Sequence, residues 1–514
     1  MKITSVFNNV LGPVMRGPSS SHTAASFHIG RMALDILGSR PKRVVISFDE
    51  DGSYGRVYRE QGSDRAFVSG LMDWDLLDEG FHDALDRTAR EGCSVEFMIG
   101  RFPEANHPNW MRLDLDNGEG NKTSVIAASI GGGSVTVSGV DGFPTDIRGD
   151  SWTTLVETGG GETGNAAELL APHGRLDRIL SPARAKSTLL ALQSADEPPA
   201  TLFRRLAEIG VRPRLVRPIF FPIKGSPIWN SAGALEDYTD SGRVSIAEAA
   251  LDYECALLGM TPQAAIDEMR RRYSIMKGAC ERGLSGELAS PMQLLRPTAH
   301  KIFASGLTGG LRFFGPHSKA AARAMAVMHA NSGMDVVCAA PTGGAAGALP
   351  GTVITLEEEL GLSAHEVCMT LFAAGAIGVV LDTRATFAAE VAGCQVEIGA
   401  GGAMASAACV YAAGGTVRQA LDAAAISFQN TMGSVCDPVQ GTVEIPCHTR
   451  NASLAAAAFV NADIIMGGYE NGIPLDETID AVYETGKLLP PELRCTSLGG
   501  ISLCPSAMAM KRMR

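Results

Sequence analysis

Residues 436–451 read CDPVQGTVEIPCHTRN, and this stretch decides how the rest of the chain is interpreted. It contains Cys436 and Cys447, and a third cysteine, Cys394, precedes them in the segment AAEVAGCQVEIGAGG. Three thiolates without a nearby fourth cysteine would suit an iron–sulfur cluster that leaves one iron open. Such an iron is a Lewis acid that can pull on a departing hydroxyl. The spacings are longer than those of common CxxC metal sites, so buried apolar cysteines in an Ala- and Gly-rich core are the alternative.

Five further motifs occur along the chain. They are GPSSSHT (17–23), HPNW (107–110), SIGGGSV (129–135), SGLTGG (305–310) and APTGGAAG (340–347). Together with CDPVQGTVEIPCHTRN, and in this order, they resemble the motifs of the iron–sulfur-dependent L-serine dehydratases, in the single-chain form that fuses a β and an α domain. The resemblance covers nearly the whole chain.

The composition indicates a folded protein with an acidic net charge. Hydrophobic residues make up 45% of the 514 residues and charged residues 19%, as in well-buried globular domains. The length corresponds to about three or four domains of ordinary size. The net charge of −12 argues against nucleic acid or an anionic membrane as a partner.

The sequence also predicts where the protein works. The N-terminal segment is interrupted by Asn, Gly and Pro and lacks the apolar core of a signal peptide. The apolar stretch 367–381 is shorter than the roughly 18 residues that indicate a membrane span. Eleven scattered cysteines are then typical of a reducing compartment. We therefore expect a cytoplasmic protein without a membrane segment.

The order of predicted elements divides the chain into four parts. Residues 1–148 mix strands such as RVVISFD with helices and resemble the α+β fold of the family's β-type domain. Residues 149–222 are predicted to form βαββαβ, the order of an ACT-like α/β sandwich. Residues 223–262, rich in Pro, Gly, Ser and Asp, are predicted to be a linker. Residues 263–514 are mainly α-helical and resemble the α-type catalytic domain that would hold the cluster.

The ACT-like part leaves its own role open. Its loop, TGGGETGNA, lacks the acidic-x-x-Gly entry that is usual for effector binding in ACT domains. A regulatory module and a purely structural spacer are therefore both compatible with the sequence.

The resemblance implies a reaction, a cofactor and an assembly. The reaction is α,β-elimination of water from a small hydroxy amino acid, L-serine, which yields pyruvate and ammonia. The implied cofactor is a [4Fe–4S] cluster on Cys394, Cys436 and Cys447, and the implied assembly is a homodimer. Some relatives return a C-terminal cysteine to the open iron, and Cys504 and Cys495 are the candidates here.

The residue expected to accept the α-proton is replaced in this chain. The family commonly carries a Gly-His-Gly-Thr-Asp stretch whose histidine is considered the base, and Gln61 occupies that position here. An amide does not take up a proton at neutral pH. His22, within GPSSSHT, or Glu60, beside Gln61, would therefore have to act instead.

The remaining candidates would bind the substrate through hydroxyls, backbone N–H groups, an amide and one guanidinium. The set is Ser19, Ser20, Ser21, Thr23, Ser305, Thr308, Thr342, Gly343, Arg450 and Asn451. Hydroxyls and N–H groups at the start of a helix suit a carboxylate, and an arginine can pair with one bidentately. The alternatives are a helix N-cap for GPSSSHT, close packing for the Gly-rich loops, and a salt bridge or a cluster-loop contact for Arg450.

Two further departures from the family leave the substrate open. Thr386 stands where a serine is expected, and Leu311 stands where an aspartate is common. Another small β-substituted amino or hydroxy acid is therefore a second hypothesis for the substrate. A non-catalytic amino-acid sensor is a third, and a Cys₃ zinc hydrolase that uses Glu390 or His448 is a fourth.

Overall fold

Strands dominate the first 216 residues and helices dominate the rest, in a computed structural model that describes residues 2–513. Two units make up the chain. The helical unit consists of Met1–Thr23, Gly131–Gly133 and Gly225–Arg514, and the sheet unit consists of Ala24–Ile130 and Ser134–Lys224. The predicted mixture of an N-terminal sheet-rich region and a helical C-terminal half is confirmed. The division into four domains at 148, 222 and 262 stays a prediction.

The elements up to residue 224 are given first, in chain order. They are β1 (Val14–Arg16), α1 (Ala25–Leu37), β2 (Arg43–Asp49), α2 (Ser53–Val57), α3 (Ser63–Leu71), α4 (Ala84–Arg90), β3 (Ser94–Gly100), β4 (Trp110–Asp116), β5 (Lys122–Gly131), β6 (Ser134–Val140), β7 (Phe143–Ile147), β8 (Trp152–Gly159), α5 (Thr163–Leu170), β9 (Arg175–Leu180), β10 (Ser187–Ser194), α6 (Ala200–Glu208) and β11 (Arg214–Val216).

The remaining elements belong to the helical unit. They are α7 (Ala232–Gly242), α8 (Ile246–Leu258), α9 (Pro262–Ser285), α10 (Ala299–Leu307), α11 (Pro316–Ser332), β12 (Val336–Cys338), α12 (Ala348–Leu360), α13 (Ala364–Arg384), α14 (Ala389–Ala392), α15 (Ile398–Ala412), α16 (Val417–Thr431), α17 (Cys447–Met466), α18 (Leu475–Lys487) and α19 (Pro505–Met508). Helices α7 and α8 lie within the segment that was predicted to be a linker.

A six-stranded sheet forms the larger part of the sheet unit, in the order β3-β2-β4-β5-β6-β7. Strands β2 and β3 are parallel, whereas β2 and β4 are antiparallel. Strand β4 shows why the sequence forms this sheet, because Met111, Leu113 and Leu115 alternate with more exposed residues and point into one core. The strands predicted at 43–49 and 94–100 are confirmed as β2 and β3.

A second sheet follows in the same unit, in the order β11-β8-β10-β9 with antiparallel neighbours. Helices α5 and α6 complete the βαββαβ order that the sequence predicts. Apolar residues such as Leu190, Leu192, Leu202 and Leu206 form a separate core for this part. The identification of this part as ACT-like stays a prediction.

The helical unit owes its dense packing to small residues. Helix α15 is buried along most of its length and contains glycines and alanines at successive turns. At Gly351 in α12, a Cβ atom would lie 2.6 Å from the carbonyl oxygen of Ala320 in α11. Only glycine therefore permits this approach of the two helices.

A short antiparallel pair of strands, β1 and β12, fixes the N-terminal segment within the helical unit. Val14 pairs with Cys338 and Arg16 with Val336. As a result, GPSSSHT, directly after β1, and APTGGAAG, directly after β12, belong to one packed region.

Helix α13 is the one helix among residues 2–513 that is long and apolar enough to cross a membrane by length and composition. Most of its apolar window is buried inside the unit, as in the core helix of a globular domain.

Candidate active site

The three predicted cysteines lie at the starts or ends of helices in the helical unit. Cys394 follows α14, Cys436 follows α16, and Cys447 is the first residue of α17; all three are buried. The Sγ atoms of Cys394 and Cys436 and a carboxylate oxygen of Glu397 lie within 4.8 Å of one another. Cys447 interacts electrostatically with Cys394 and Glu397. The fold thus collects these side chains at one place.

A fourth cysteine, Cys495, belongs to the same group. The backbone N–H of Cys436 donates to the oxygen of Leu493 over 2.9 Å, and the N–H of Cys495 donates to the oxygen of Cys436 over 2.9 Å. The thiols of Cys436 and Cys495 are hydrogen-bonded to each other. Cys495 has a φ of 62°, a left-handed conformation that costs energy for a non-glycine residue. Cys504, the other candidate in the sequence, is exposed.

The environment of these thiols favours their protonated form while no cation is bound. Hydrogen bonds with the thiols of Cys394 and Cys495, and then burial, raise the pKa of Cys436 well above its usual value. Burial, and then the charge of Cys394, raise the pKa of Cys447. Thiolates crowded together in this way need a cation to offset their mutual repulsion.

The donor set fits an iron–sulfur cluster. Soft thiolates bind iron–sulfur clusters or zinc, and N–H groups aimed at the sulfurs commonly accompany clusters. Arg450 supplies such a group, because its Nη1 donates to the Sγ of Cys394 over 3.5 Å. The same guanidinium donates to the oxygen of Val435 over 2.8 Å and to Oδ1 of Asp437 over 3.0 Å. Arg450 therefore orients the cysteine loops.

The GPSSSHT segment forms a tight turn next to this group. Residues Ser20–Ala24 are π-helical, and Ser19, Ser20, Ser21, His22 and Thr23 are all buried. Ser19 Oγ lies 3.2 Å from Nδ1 of His22, and Oε1 of Glu390 lies 3.7 Å from the same nitrogen. Burial lowers the pKa of His22 to about 3. The imidazole is therefore neutral at neutral pH.

The hydroxyls of this turn are partly used within the protein. Ser20 Oγ accepts a hydrogen bond from the N–H of Gly343 over 3.1 Å, and Thr23 Oγ1 accepts one from the N–H of Ser19 over 3.3 Å. At Gly343, a Cβ atom would lie 2.8 Å from the backbone nitrogen of Ser20. The turn and the APTGGAAG loop are thus in direct contact. The lack of a side chain at Gly343 lets the backbone of the loop approach the backbone of the turn.

Glu397 is the principal site residue that the sequence analysis missed. Thr342 Oγ1 donates to Oε1 of Glu397 over 2.7 Å. At Gly344, a Cβ atom would lie 2.8 Å from the same oxygen, so the glycine leaves room for the carboxylate. Burial, and then the charge of Glu390, raise the pKa of Glu397 to about 7. An acidic residue in the otherwise uncharged segment CQVEIGAGG was the available signal, since charged residues are rarely placed in apolar segments without a role.

The side-chain amide of Asn451 is hydrogen-bonded within the protein on both of its ends. Its Oδ1 accepts hydrogen bonds from the N–H groups of Gly347 and Ala348 over 3.1 and 3.0 Å. Its Nδ2 donates to the carbonyls of Gly344 and Cys447 over 2.8 and 2.9 Å. All of its amide's bonding capacity is therefore used to join the APTGGAAG loop to α17.

Two further pairs of predicted site residues belong to other segments of the chain. Thr308 is exposed, and its hydroxyl donates to the carbonyl of Ala304 in the same turn; Ser305, in that turn, is half-buried. Glu60 and Gln61 belong to the sheet unit, between α2 and α3, where Gln61 is buried and Glu60 is half-exposed. The roles predicted for these four residues stay predictions.

Two other residues have structural contacts. Thr386 Oγ1 accepts a hydrogen bond from the N–H of Ala388 at the start of α14 over 3.0 Å. His448 Nε2 lies 2.9 Å from Ser332 Oγ, and its ring packs against His329 with 5.1 Å between centroids. Both contacts fix backbone segments that lead to the cysteines.

Comparison with known proteins gives a consistent result. The family model described as "Serine dehydratase alpha chain" matches residues 241–502. A probable L-serine dehydratase alpha chain of Bacillus subtilis is 36% identical over 279 residues, 54% of this chain and 92% of the relative. The probable beta chain from the same organism is 36% identical over 156 residues, 30% of this chain and 69% of the relative. An L-serine dehydratase of Haemophilus influenzae is 25% identical over 509 residues, 95% of this chain and 96% of the relative.

Proposed function

We propose that this chain, which belongs to the iron–sulfur-dependent L-serine dehydratase family and is a lyase, converts L-serine to pyruvate and ammonia with a [4Fe–4S] cluster held by Cys394, Cys436 and Cys447. The observation that carries the proposal is the convergence of buried thiols and a carboxylate in the unit that matches the family model. When bound, the cluster would supply a Lewis acid for the β-hydroxyl.

The remaining steps belong to the protein's own side chains. Ser19, Ser21 and the N–H groups of the π-helical turn would hold the substrate carboxylate, since hydroxyls and N–H groups at helix starts bind anions. His22 is buried and neutral at neutral pH, but a pKa of about 3 makes it a weak base, so its uptake of the α-proton would depend on the carboxylate of Glu390. Glu390, 3.7 Å from Nδ1 of His22, would stabilise the imidazolium that forms. Glu60 is the second candidate for the base, because it neighbours Gln61.

Cys495 is proposed to protect the site at rest. Its thiol is hydrogen-bonded to that of Cys436, whereas Cys504 is exposed. The burial of the whole cysteine group limits the access of water and oxidants. We assign the role of covering the open position to Cys495 and not to Cys504.

Three further properties are proposed on the family resemblance and the sequence. The four-part domain division is retained, with residues 149–222 as an ACT-like module, which the βαββαβ order of their elements and the order of their sheet support. A homodimer is proposed from the family resemblance. A cytoplasmic location is proposed from the cysteine content of the chain.

A second candidate function is the same chemistry on another small β-substituted amino or hydroxy acid. Gln61 favours it, because the family's usual base is absent at that position. A third, a non-catalytic amino-acid sensor, would require that no substrate is turned over although the cluster is intact.

The test is product release from L-serine by anaerobically reconstituted protein. Iron and sulfide per chain, pyruvate and ammonia are measured for the wild type, for Gln61→His and for the matched control Gln61→Asn. Pyruvate from the wild type at rates that His22→Asn abolishes supports both the function and the base. An intact cluster without pyruvate, but with keto acid from an analogue such as L-threonine, would move the function to the second candidate. An intact cluster that turns over no analogue would indicate the sensor.

A further inference from the structure

We propose that Glu397 binds the α-ammonium group of the substrate and so selects amino acids over the corresponding hydroxy acids; this inference rests on the proposed function. The first argument is position. A carboxylate oxygen of Glu397 lies within 4.8 Å of the Sγ atoms of Cys394 and Cys436, two of the thiols that would hold the cluster. A substrate whose β-hydroxyl reached that cluster would carry its α-substituent on the adjacent carbon.

The second argument is the way in which the carboxylate is held. One carboxylate oxygen, Oε1, accepts the hydrogen bond from Thr342. The lack of a Cβ atom at Gly344 leaves the space that this oxygen occupies. Unlike the three cysteines, Glu397 is only half-buried, so part of its side chain is accessible to a small molecule. A preoriented and accessible carboxylate is the group that proteins use for charged hydrogen bonds with an ammonium.

The third argument is the local charge. Glu390, which is buried, adds a second carboxylate that acts on Glu397. The neighbouring thiolates would add further negative charge. Arg450 interacts electrostatically with Glu397, but its guanidinium is already hydrogen-bonded to Asp437, Val435 and Cys394. A ligand that brings its own cation is therefore favoured over one that brings a neutral hydroxyl.

The inference separates the two substrate classes that the sequence left open. L-Alanine and L-lactate differ only in the α-substituent, ammonium or hydroxyl, and neither carries a β-hydroxyl to eliminate. Both keep the carboxylate that the GPSSSHT turn is proposed to bind. The ratio of their dissociation constants therefore reports on the α-substituent alone.

The experiment measures both dissociation constants by isothermal titration calorimetry on anaerobically reconstituted protein at pH 8, because Glu397, with a pKa of about 7, is mostly ionised there. The wild type should prefer L-alanine. Glu397→Gln keeps an oxygen that can accept the Thr342 hydrogen bond but removes the charge, and should lower the preference by about ten-fold or more, the usual size of a charged hydrogen bond. L-Lactate affinity should stay the same or increase. Glu397→Asp keeps the negative charge but moves it back by one methylene group. This variant should weaken the binding of L-alanine and have little effect on the binding of L-lactate.

The matched control is Glu366→Gln. Glu366 forms a capping box with Ser363 at the start of α13, and glutamine serves in the same box. This variant should leave both dissociation constants unchanged. An unchanged L-alanine preference in Glu397→Gln would overturn the inference, and so would a loss of iron in that variant, which would make Glu397 a ligand of the cluster.

The outcome can be distinguished from failure of the proposed function. If the wild type releases no pyruvate from L-serine but shows an L-alanine preference that depends on Glu397, the ammonium site stands and the proposed reaction falls. If pyruvate is released and Glu397→Gln changes neither the ratio of the two dissociation constants nor the KM for L-serine, the proposed reaction stands and the ammonium site is refuted.

Discussion

Several polar side chains of the site in the helical unit are buried, whereas several charged pairs of the sheet unit are exposed. In the helical unit, His22, Glu390 and Asn451 are buried within the packed interior. In the sheet unit, pairs such as Arg101–Glu50 and Arg148–Asp146 lie at the surface. Surface pairs add little to stability, whereas a buried polar group is costly unless its partners are fixed. The buried polar groups of the site therefore carry an energetic cost that these surface pairs of the sheet unit do not carry.

Two glycines of the site differ in the same way from two exposed glycines of the sheet unit. In the helical unit, a Cβ atom at Gly344 would lie 2.8 Å from Glu397 Oε1, and one at Gly343 would lie 2.8 Å from the nitrogen of Ser20. In the sheet unit, a Cβ atom at Gly161 or Gly164 would meet nothing within 4 Å. The first pair of glycines is required by contacts, and the second pair is not. Substitutions at such positions test whether the contrast holds.

The largest effect is expected for Cys436→Ser. Cys436 is hydrogen-bonded to two other thiols of the group, and a serine hydroxyl is a poor ligand for iron. We expect loss of most iron and sulfide per chain and a fall in pyruvate release of about a thousand-fold or more, the loss expected when a Lewis acid is removed. Metal analysis, absorption spectroscopy and a pyruvate assay measure this.

The control for that variant is Cys504→Ser, because Cys504 is exposed. Its iron content and activity should match the wild type. An equal loss of iron in both variants would contradict the assignment of the site to the buried group.

A smaller effect is expected for Gly344→Ala. The added methyl would lie 2.8 Å from Oε1 of Glu397 and 3.1 Å from its Cδ, so the carboxylate must move away from Thr342. Displacement of a site group by about 1 Å costs on the order of a hundred-fold in rate. Steady-state kinetics should show this loss with normal iron content. Gly472→Ala is the matched control, since a Cβ atom there meets nothing within 4 Å; equal losses in the two variants would refute the steric argument.

Much of the fold could be predicted from the sequence, because its local signals agree with the packing. RVVISFD and SVEFMIG are rich in β-branched residues and form β2 and β3 at the predicted residues. The βαββαβ order of residues 152–216 followed from alternating strand and helix patterns in the same way. Helix α7 was missed, since polar and turn-forming residues around Trp229 and Thr239 obscure a short helix, whereas helical structure from Ile246 onward follows from the Ala-rich sequence and is confirmed by α8.

The site was predicted less completely. The three cysteines and GPSSSHT stand in recognisable motifs, and the structure brings both into the helical unit. Glu397 and Cys495 are far apart in the chain. Only the backbone pairing of Cys436 with residues 493–495 shows that Cys495 lies beside the other cysteines. Asn451 looked like a ligand-binding amide, yet its hydrogen bonds can be counted only in the folded chain. Sequence motifs thus identify site residues but do not assign their individual roles.

A third prediction concerns acid stability of the helical unit. Burial, and then the nearby His300, lower the pKa of His329 to about 4, below its usual value of 6.5. The unfolded chain therefore binds a proton between pH 6.5 and 4 that the folded protein does not, so stability falls as the pH falls through this range. Between pH 7 and 5 the loss from this group is about 2 kcal/mol. His329→Phe should remove that part of the loss.

The measurement is urea unfolding at pH 7 and pH 5, followed by circular dichroism under anaerobic conditions. For each variant, the free energy of unfolding at pH 5 is subtracted from that at pH 7. A packing change that affects both pH values equally then cancels. His329→Asn serves as the matched variant, because it also lacks a titrating ring. If both variants retain the full wild-type difference, the acid sensitivity arises from other groups.

The smallest effect should be found in the sheet unit, with the opposite sign. Gly164 lies in the first turn of α5, is exposed, and would meet nothing within 4 Å on acquiring a Cβ atom. Gly164→Ala should therefore stabilise the helix by about 0.5 kcal/mol, because alanine loses less backbone entropy on folding. Hydrogen exchange of peptides covering α5 should slow about two-fold. Gly160→Ala, four residues earlier at a φ of 34°, should instead speed exchange, since alanine is strained at positive φ. If Gly164→Ala destabilised the protein, the absence of a neighbour within 4 Å of the added Cβ atom would not be what decides the effect of substituting a glycine.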